Sequence, residues 1–207
     1  AGVVVNAAGP WFEKLNRGVG VEYSTTSTPI RIQVAHKCLP AGEFLDLPFT
    51  CDLWGASGIY FVPRRESKQL VFGSIDHKYE TEEVDPDKLN ASLDPDVKQT
   101  FLSALFHRLP GLPQSGQVTG FSSMYTVNQD DLHPVVGETS VKGLWACNGF
   151  SGHGFKLAPA IGSMVAQQVT GVKCSGELGE TEVPLGFLAA DRKPLKELGE
   201  SGGSVLA

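Results

Sequence analysis

The chain opens on a strand that has no neighbour before it. Ala1-Gly2-Val3-Val4-Val5-Asn6 is a continuous run of apolar, β-branched residues, and Ala7-Ala8-Gly9-Pro10 then stops it. A run without polar alternation reads as a strand buried on both faces. Such a strand needs a neighbour on either side. The sequence is therefore expected to fold together with an additional N-terminal segment or a partner chain.

Composition narrows the classes. A length of 207 residues suits one large domain or two small ones. A net charge of −6 argues against nucleic-acid binding, which needs a basic face for phosphates. Glycine and proline together make 24 + 13 residues, which with 41% hydrophobic residues indicates a turn-rich globular fold. No apolar run approaches the roughly 20 residues of a membrane span, and no signal-peptide pattern is present. Cys38, Cys51, Cys147 and Cys174 form no CxxC pair, and no metal-ligand spacing links them to the five histidines. They read as reduced thiols of a cytoplasmic protein without a metal site.

Local patterns mark further elements. Trp11–Arg17 is briefly helical. Thr28–His36 alternates as a strand, and 58–63 and 69–73 form two more, joined by polar 64–68 as a hairpin. Residues 85–109 are helical territory, with Pro86 and Pro95 near the starts of two short helices. Gln117–Val127 and 143–148 are strands. A helix is expected over Ala158–Val169, and the tail after Gly171 is expected to lie over the surface, with 199–207 frayed.

The chemically informative segment is Gly149-Phe150-Ser151-Gly152-His153-Gly154-Phe155-Lys156-Leu157-Ala158-Pro159-Ala160-Ile161-Gly162. It follows a strand and opens a helix. Its glycines let the backbone approach a ligand, and a helix start offers unpaired N–H groups to an electron-rich group. On these grounds alone it is a cofactor loop or a structural turn. Neither it nor Gly18-Val19-Gly20 supplies the GxGxxG dinucleotide fingerprint.

VVNAAGPW at 4–11 and GFSGHGFKLAPAIG at 149–162 resemble two segments of the flavin-dependent amine and amino-acid oxidoreductases, the group of glycine oxidase, D-amino-acid oxidase and monomeric sarcosine oxidase. GIYFVPRRESKQLVFGS at 58–74 is similar to the hairpin of their substrate domain. SMYTVNQDD at 123–131, with HPVVG at 133–137, is similar to a segment beside the flavin. The resemblance spans residues 1 to about 171. It implies an α+β fold, the C-terminal half of a two-domain flavoprotein: a mixed or antiparallel substrate-domain sheet plus the last strand-loop-helix of a Rossmann-like FAD-binding domain. The implied boundaries are 1–27 (FAD-binding strand and helix), 28–122 (substrate-binding), 123–171 (return to the FAD-binding domain) and 172–207 (tail). A GxGxxG-bearing N-terminal segment or partner chain is implied as well.

The same resemblance implies site residues. Ala8, Gly9, Pro10 and Trp11, with Gly149, Ser151, Gly152, His153, Gly154, Phe155 and Lys156, are expected to contact the cofactor. Lys156 matches a lysine that pairs with the substrate carboxylate, and Tyr125 a tyrosine near the substrate. Ser123 stands where sarcosine oxidase has the cysteine that bonds to flavin, so the FAD is expected to be non-covalent. Val71 falls near a family lysine that promotes oxygen reduction, which favours a dehydrogenase over an oxidase; were oxygen to react rapidly, His77 or Lys78 is the expected replacement cation. Arg64, Asp130, Asp131 and His133 read as solvated or turn residues. The implied reaction is oxidation of the C–N bond of a small amino acid or N-methylated amino acid, by hydride transfer followed by imine hydrolysis. A hydroxy-acid or glycerol-phosphate-type dehydrogenase and a non-catalytic flavin-fold subunit are the alternatives.

Overall fold

The computed structural model describes residues 1–40, 44, 46–53, 58–171 and 184–195, apart from the side chain of His77. Cys174 and the 199–207 end fall outside the described residues. The chain divides into two compact units: Ala1–Pro29 with the residues from Tyr125 onward, and Ile30–Met124.

The first unit is built on three strands. β1 (Val4–Asn6) runs parallel to β8 (Leu144–Asn148), which is antiparallel to β7 (Val135–Glu138). A parallel pair requires a long crossover, and here the whole second unit lies between β1 and β8 in sequence. A single 3-10 turn, Gly9–Trp11, leads from β1 into α1 (Phe12–Arg17). α3 (Gly154–Thr170) lays Leu157, Ile161, Met164 and Val165 against Val136. That spacing is one helical stripe.

Three expectations change here. Val3, Val4 and Val5 are 43%, 50% and 42% exposed, not buried on both faces. β1 is bonded only to β8, and no described strand covers its other edge. α3 begins four residues before Ala158. Pro159 is not a first-turn residue but sits inside the helix, where its missing N–H leaves the Phe155 carbonyl without an i+4 donor. The tail is not merely superficial: within 184–195, Leu188, Ala190 and Arg192 are buried against the sheet.

The second unit carries a five-stranded sheet in the order β3-β4-β5-β2-β6. Its strands are β2 (Ser27–Cys38), β3 (Thr50–Cys51), β4 (Ile59–Arg64), β5 (Gln69–Ser74) and β6 (Val118–Asn128). β4 and β5 form the expected antiparallel hairpin. Of the two helices expected over 85–109, one is a 3-10 turn at Pro86–Lys88 and the other is α2 (Pro95–Arg108). Phe101 and Leu105 of α2 bury Ala35, Ile59, Phe61, Leu70 and Phe72 on one sheet face. β3 and β7 were not anticipated, because two- and four-residue strands lack a readable period. The Asp94 carboxylate, together with Glu82 and the carbonyls of Asn90 and Ser92, holds the buried Arg31 guanidinium.

Candidate functional site

Because β1 and β8 are parallel, their carboxyl ends leave the sheet on the same side, with Asn6 in register with Ala146. Ligands of open sheets bind outside the carboxyl ends of parallel strands. Ala7–Trp11 follows the first strand and Gly149–Lys156 the second. The structure therefore brings together the two segments that the sequence analysis singled out.

Asn6 secures the first turn. Its Nδ2 donates to Asn16 Oδ1 at 2.9 Å and to the Phe12 carbonyl at 3.2 Å, while its Oδ1 accepts from the Ala8 amide. Sequence reasoning passed over this asparagine pair, whose one legible signal was a polar residue ending an apolar run. Ala8, Gly9 and Pro10 are half-buried, and Trp11 is 41% exposed.

The second turn is bolted to β6. Gly149 has φ +74°, where a side chain is strained, and a Cβ there would stand 2.8 Å from Ser27 Oγ, which would have to turn aside. Ser151 also adopts a left-handed conformation, at φ +48°. That costs a non-glycine residue about 1–2 kcal/mol. Three hydrogen bonds offset it: the Ser151 amide donates to the Thr126 carbonyl, and Oγ accepts from the Asn128 amide and donates to the Gly149 carbonyl. The buried Ser151 hydroxyl is thus occupied inside the turn, and only its backbone is available to a cofactor.

Gly152 exposes its backbone beside Tyr125, whose ring carbons lie 3.4 Å from where a Cβ would be. His153 is the N-cap residue of α3 but supplies no side-chain cap. The Gly154, Phe155 and Lys156 amides begin the helix without intrahelical acceptors, at the positive end of its dipole. Phe155 is 98% exposed and Lys156 is exposed, with no described carboxylate paired to it. Asn148, immediately before the loop, is buried; its Oδ1 accepts from Thr126 Oγ1, and its Nδ2 has no described partner.

Other candidates are placed elsewhere. Asp130 and Asp131 cap turns: Asp130 accepts from the Thr26 amide at 2.6 Å, and Asp131 accepts from the His133 amide and from Arg192. Lys78 is paired with Asp76 at 2.6 Å. His77's side chain is outside the described residues. Among the described residues no group of three or more potential ligands could hold a metal ion, and no helix is long and apolar enough to cross a membrane.

The carboxyl ends of β1 and β8 thus carry two turns, the second a glycine-lined helix start. Residues 1–168 match the family described as FAD dependent oxidoreductase (DAO), and the chain belongs to that family, whose cofactor is FAD. FAD-dependent oxidoreductase domain-containing protein 1 of Xenopus laevis is 35% identical over 81% of this chain and 34% of its own length. Peroxisomal sarcosine oxidase of Homo sapiens is 29% identical over 78% of the chain and 42% of its own length. L-proline dehydrogenase from P. horikoshii superposes with a TM-score of 0.69 at 21% identity, over 91% of this chain and 46% of that one. The chain thus spans between a third and a half of these relatives. Its residues fit one end of FAD: uncapped amides, bare glycine backbone and the unpaired Asn148 donor suit an electron-rich ring edge. No described residues form a GxGxxG cradle for the ADP end.

Proposed function

We propose that this chain is the C-terminal half of an enzyme that oxidises the C–N bond of a small amino acid or N-methylated amino acid. The observation that carries the reading is the gathering of Ala8–Trp11, Gly149–Lys156 and Tyr125 around the carboxyl ends of β1 and β8. FAD, when bound, supplies the hydride acceptor. The amides of Gly152, Gly154, Phe155 and Lys156 hold the electron-rich ring edge and favour added negative charge there. Lys156 binds the substrate carboxylate, and Tyr125 orients the amine beside it. Released imine is hydrolysed by water without a further catalytic group.

The free edge of β1 and the groove of about 500 Å³ beside it, lined by Val4, Val5, Ala8, Leu15 and Val19, accept the strand-turn-helix that carries GxGxxG. Ser123 cannot form a thioether, so the FAD is held non-covalently. Val71 favours an acceptor other than oxygen. Cys38, Cys51 and Cys147 carry no disulfide, which supports a reducing compartment such as the cytoplasm.

The test uses the full-length enzyme containing this chain. Acid precipitation releases FAD into the supernatant, and small amino acids bleach the flavin band where hydroxy acids do not. Lys156→Met raises KM for carboxylated substrates far more than for simple amines. Flavin retained in the pellet, bleaching by hydroxy acids alone, or unchanged Lys156→Met kinetics would overturn the corresponding part.

A further inference from the structure

The segment 184–195 reaches the supports of both turns at the carboxyl ends of β1 and β8, and all of these parts belong to the first unit. Ala190 shares a buried cluster with Phe12, Val135 and Ala146. Phe12 is the residue whose carbonyl Asn6 holds in the first turn. Leu188 shares a second cluster with Val136, Ile161 and Met164, and Phe150 of the second turn packs against it. Gln168, near the far end of α3, donates to the Leu185 carbonyl.

Polar contacts make a continuous path from this segment to the second turn. Arg192 Nη2 donates to the His133 carbonyl at 3.0 Å. The same carbonyl accepts from Asn128 Nδ2 at 2.6 Å. Asn128 is fully buried; its Oδ1 accepts from the Asp130 amide at 3.1 Å, and its own amide donates to Ser151 Oγ at 3.0 Å. Asp131 closes the turn from the other side, on both Nη atoms of Arg192 and on the Leu195 amide. We propose that Arg192 is a positioning residue for the cofactor: through the His133 carbonyl and Asn128 it keeps Ser151 left-handed, so that the Gly149–Lys156 turn holds the shape that accepts FAD only while 184–195 is docked. The proposal rests on the reading of that turn as a contact of FAD.

Both ends of the path are backbone that must be held. Ser151 lies at φ +48°, and Leu132, between Asp131 and His133, lies at φ +64°. Neither residue keeps a left-handed conformation without partners, because its Cβ crowds the backbone there. Arg192 anchors the turn that carries Leu132 and His133. Once that anchor is gone the His133 carbonyl can shift, the Asn128 side chain follows it, and the Asn128 amide no longer fixes the Ser151 hydroxyl. A turn that spends about a tenth of its time in the binding shape binds its ligand about tenfold more weakly.

The test is titration of FAD into the FAD-free full-length enzyme, read by flavin fluorescence, with melting temperature and hydrogen exchange of 149–156 in the FAD-free protein beside it. Arg192→Met is expected to weaken FAD binding about tenfold and to speed exchange across 149–156. Asp131→Leu with Arg192→Met removes both charges and recovers the melting temperature, but it lacks the donor to His133, so FAD binding stays weak. This paired variant carries the test if Arg192→Met alone does not fold. In a Ser151→Gly background Arg192→Met costs little further affinity, because glycine takes the left-handed conformation unaided. Wild-type affinity in Arg192→Met, affinity that returns with the melting temperature in the paired variant, or an equal loss with and without Ser151→Gly overturns the proposal alone. Failure of the wild-type full-length protein to take up FAD overturns the enzyme reading and this proposal with it.

Discussion

Replacing Asp131 by asparagine is expected to loosen the segment 184–195 from the first unit. The Asp131 side chain is 1% exposed and that of Arg192 is 6% exposed. Both guanidinium Nη atoms donate to the carboxylate, which also accepts from the Leu195 amide at 2.8 Å and the His133 amide at 2.9 Å. Arg192 donates onward to the His133 and Pro134 carbonyls. Removing one partner of a buried pair costs about 3–5 kcal/mol, because the other charge stays buried. Asparagine keeps the shape and one acceptor oxygen, which argues for the lower end, about 3 kcal/mol. At about 2–4 °C per kcal/mol for a chain of this size, the melting temperature should fall by about 6–12 °C.

The pH dependence follows from the same contacts. Burial pushes the Asp131 carboxyl up, but the Arg192, Leu195 and His133 hydrogen bonds outweigh it and hold the group below its ordinary value. The folded state therefore binds fewer protons than the unfolded state as pH drops below the unfolded carboxylate value of about 3.9. The stabilisation is complete above that value and is lost as pH falls through the folded one. The gap between wild type and Asp131→Asn should thus be widest near neutral pH and shrink toward pH 3. Calorimetry across pH, with hydrogen exchange of the 184–195 peptide, measures both effects. Asp131→Leu with Arg192→Met removes both charges and should recover most of the loss. An Asp131→Asn protein that melts like wild type and keeps its exchange protection would refute the reasoning.

Two further substitutions probe the second unit. Gly120→Ala would place a Cβ 2.4 Å from both the Val34 carbonyl oxygen and Leu93 Cδ2, and should destabilise by about 1–3 kcal/mol in urea titration; an unchanged midpoint would show that β6 can shift aside. Lys37 is fully buried, donates to the Ser115 carbonyl at 2.7 Å, and has its ammonium pulled below the usual lysine range by burial. The unfolded state then binds more protons between the folded and unfolded values, so stability from this group rises with pH through that window. Lys37→Met should lose that rise, while matching or exceeding wild type at neutral pH; a rise of equal size in both proteins would reject it.

Much of this protein is encoded within short windows. The β4–β5 hairpin was legible because alternation and a polar turn are local, and the 149–154 loop because glycines concentrated after a strand have a steric meaning of their own. The resemblance of 4–11 and 149–162 to a flavoenzyme family rested on the same short stretches. Other features depended on which segments meet in space. The valines of β1 have the composition of a buried strand, but burial requires a second neighbour, and only strand pairing reveals that β8 is the one described. The tail has the glycine and glutamate content of a surface segment, yet Arg192 finds Asp131 at a sequence separation of 61. His133 is an ordinary turn residue until folding brings Asn128 and Arg192 to its carbonyl. Local sterics and periodicity act over a few residues, whereas the face a side chain occupies is decided by long-range pairing and by what covers it.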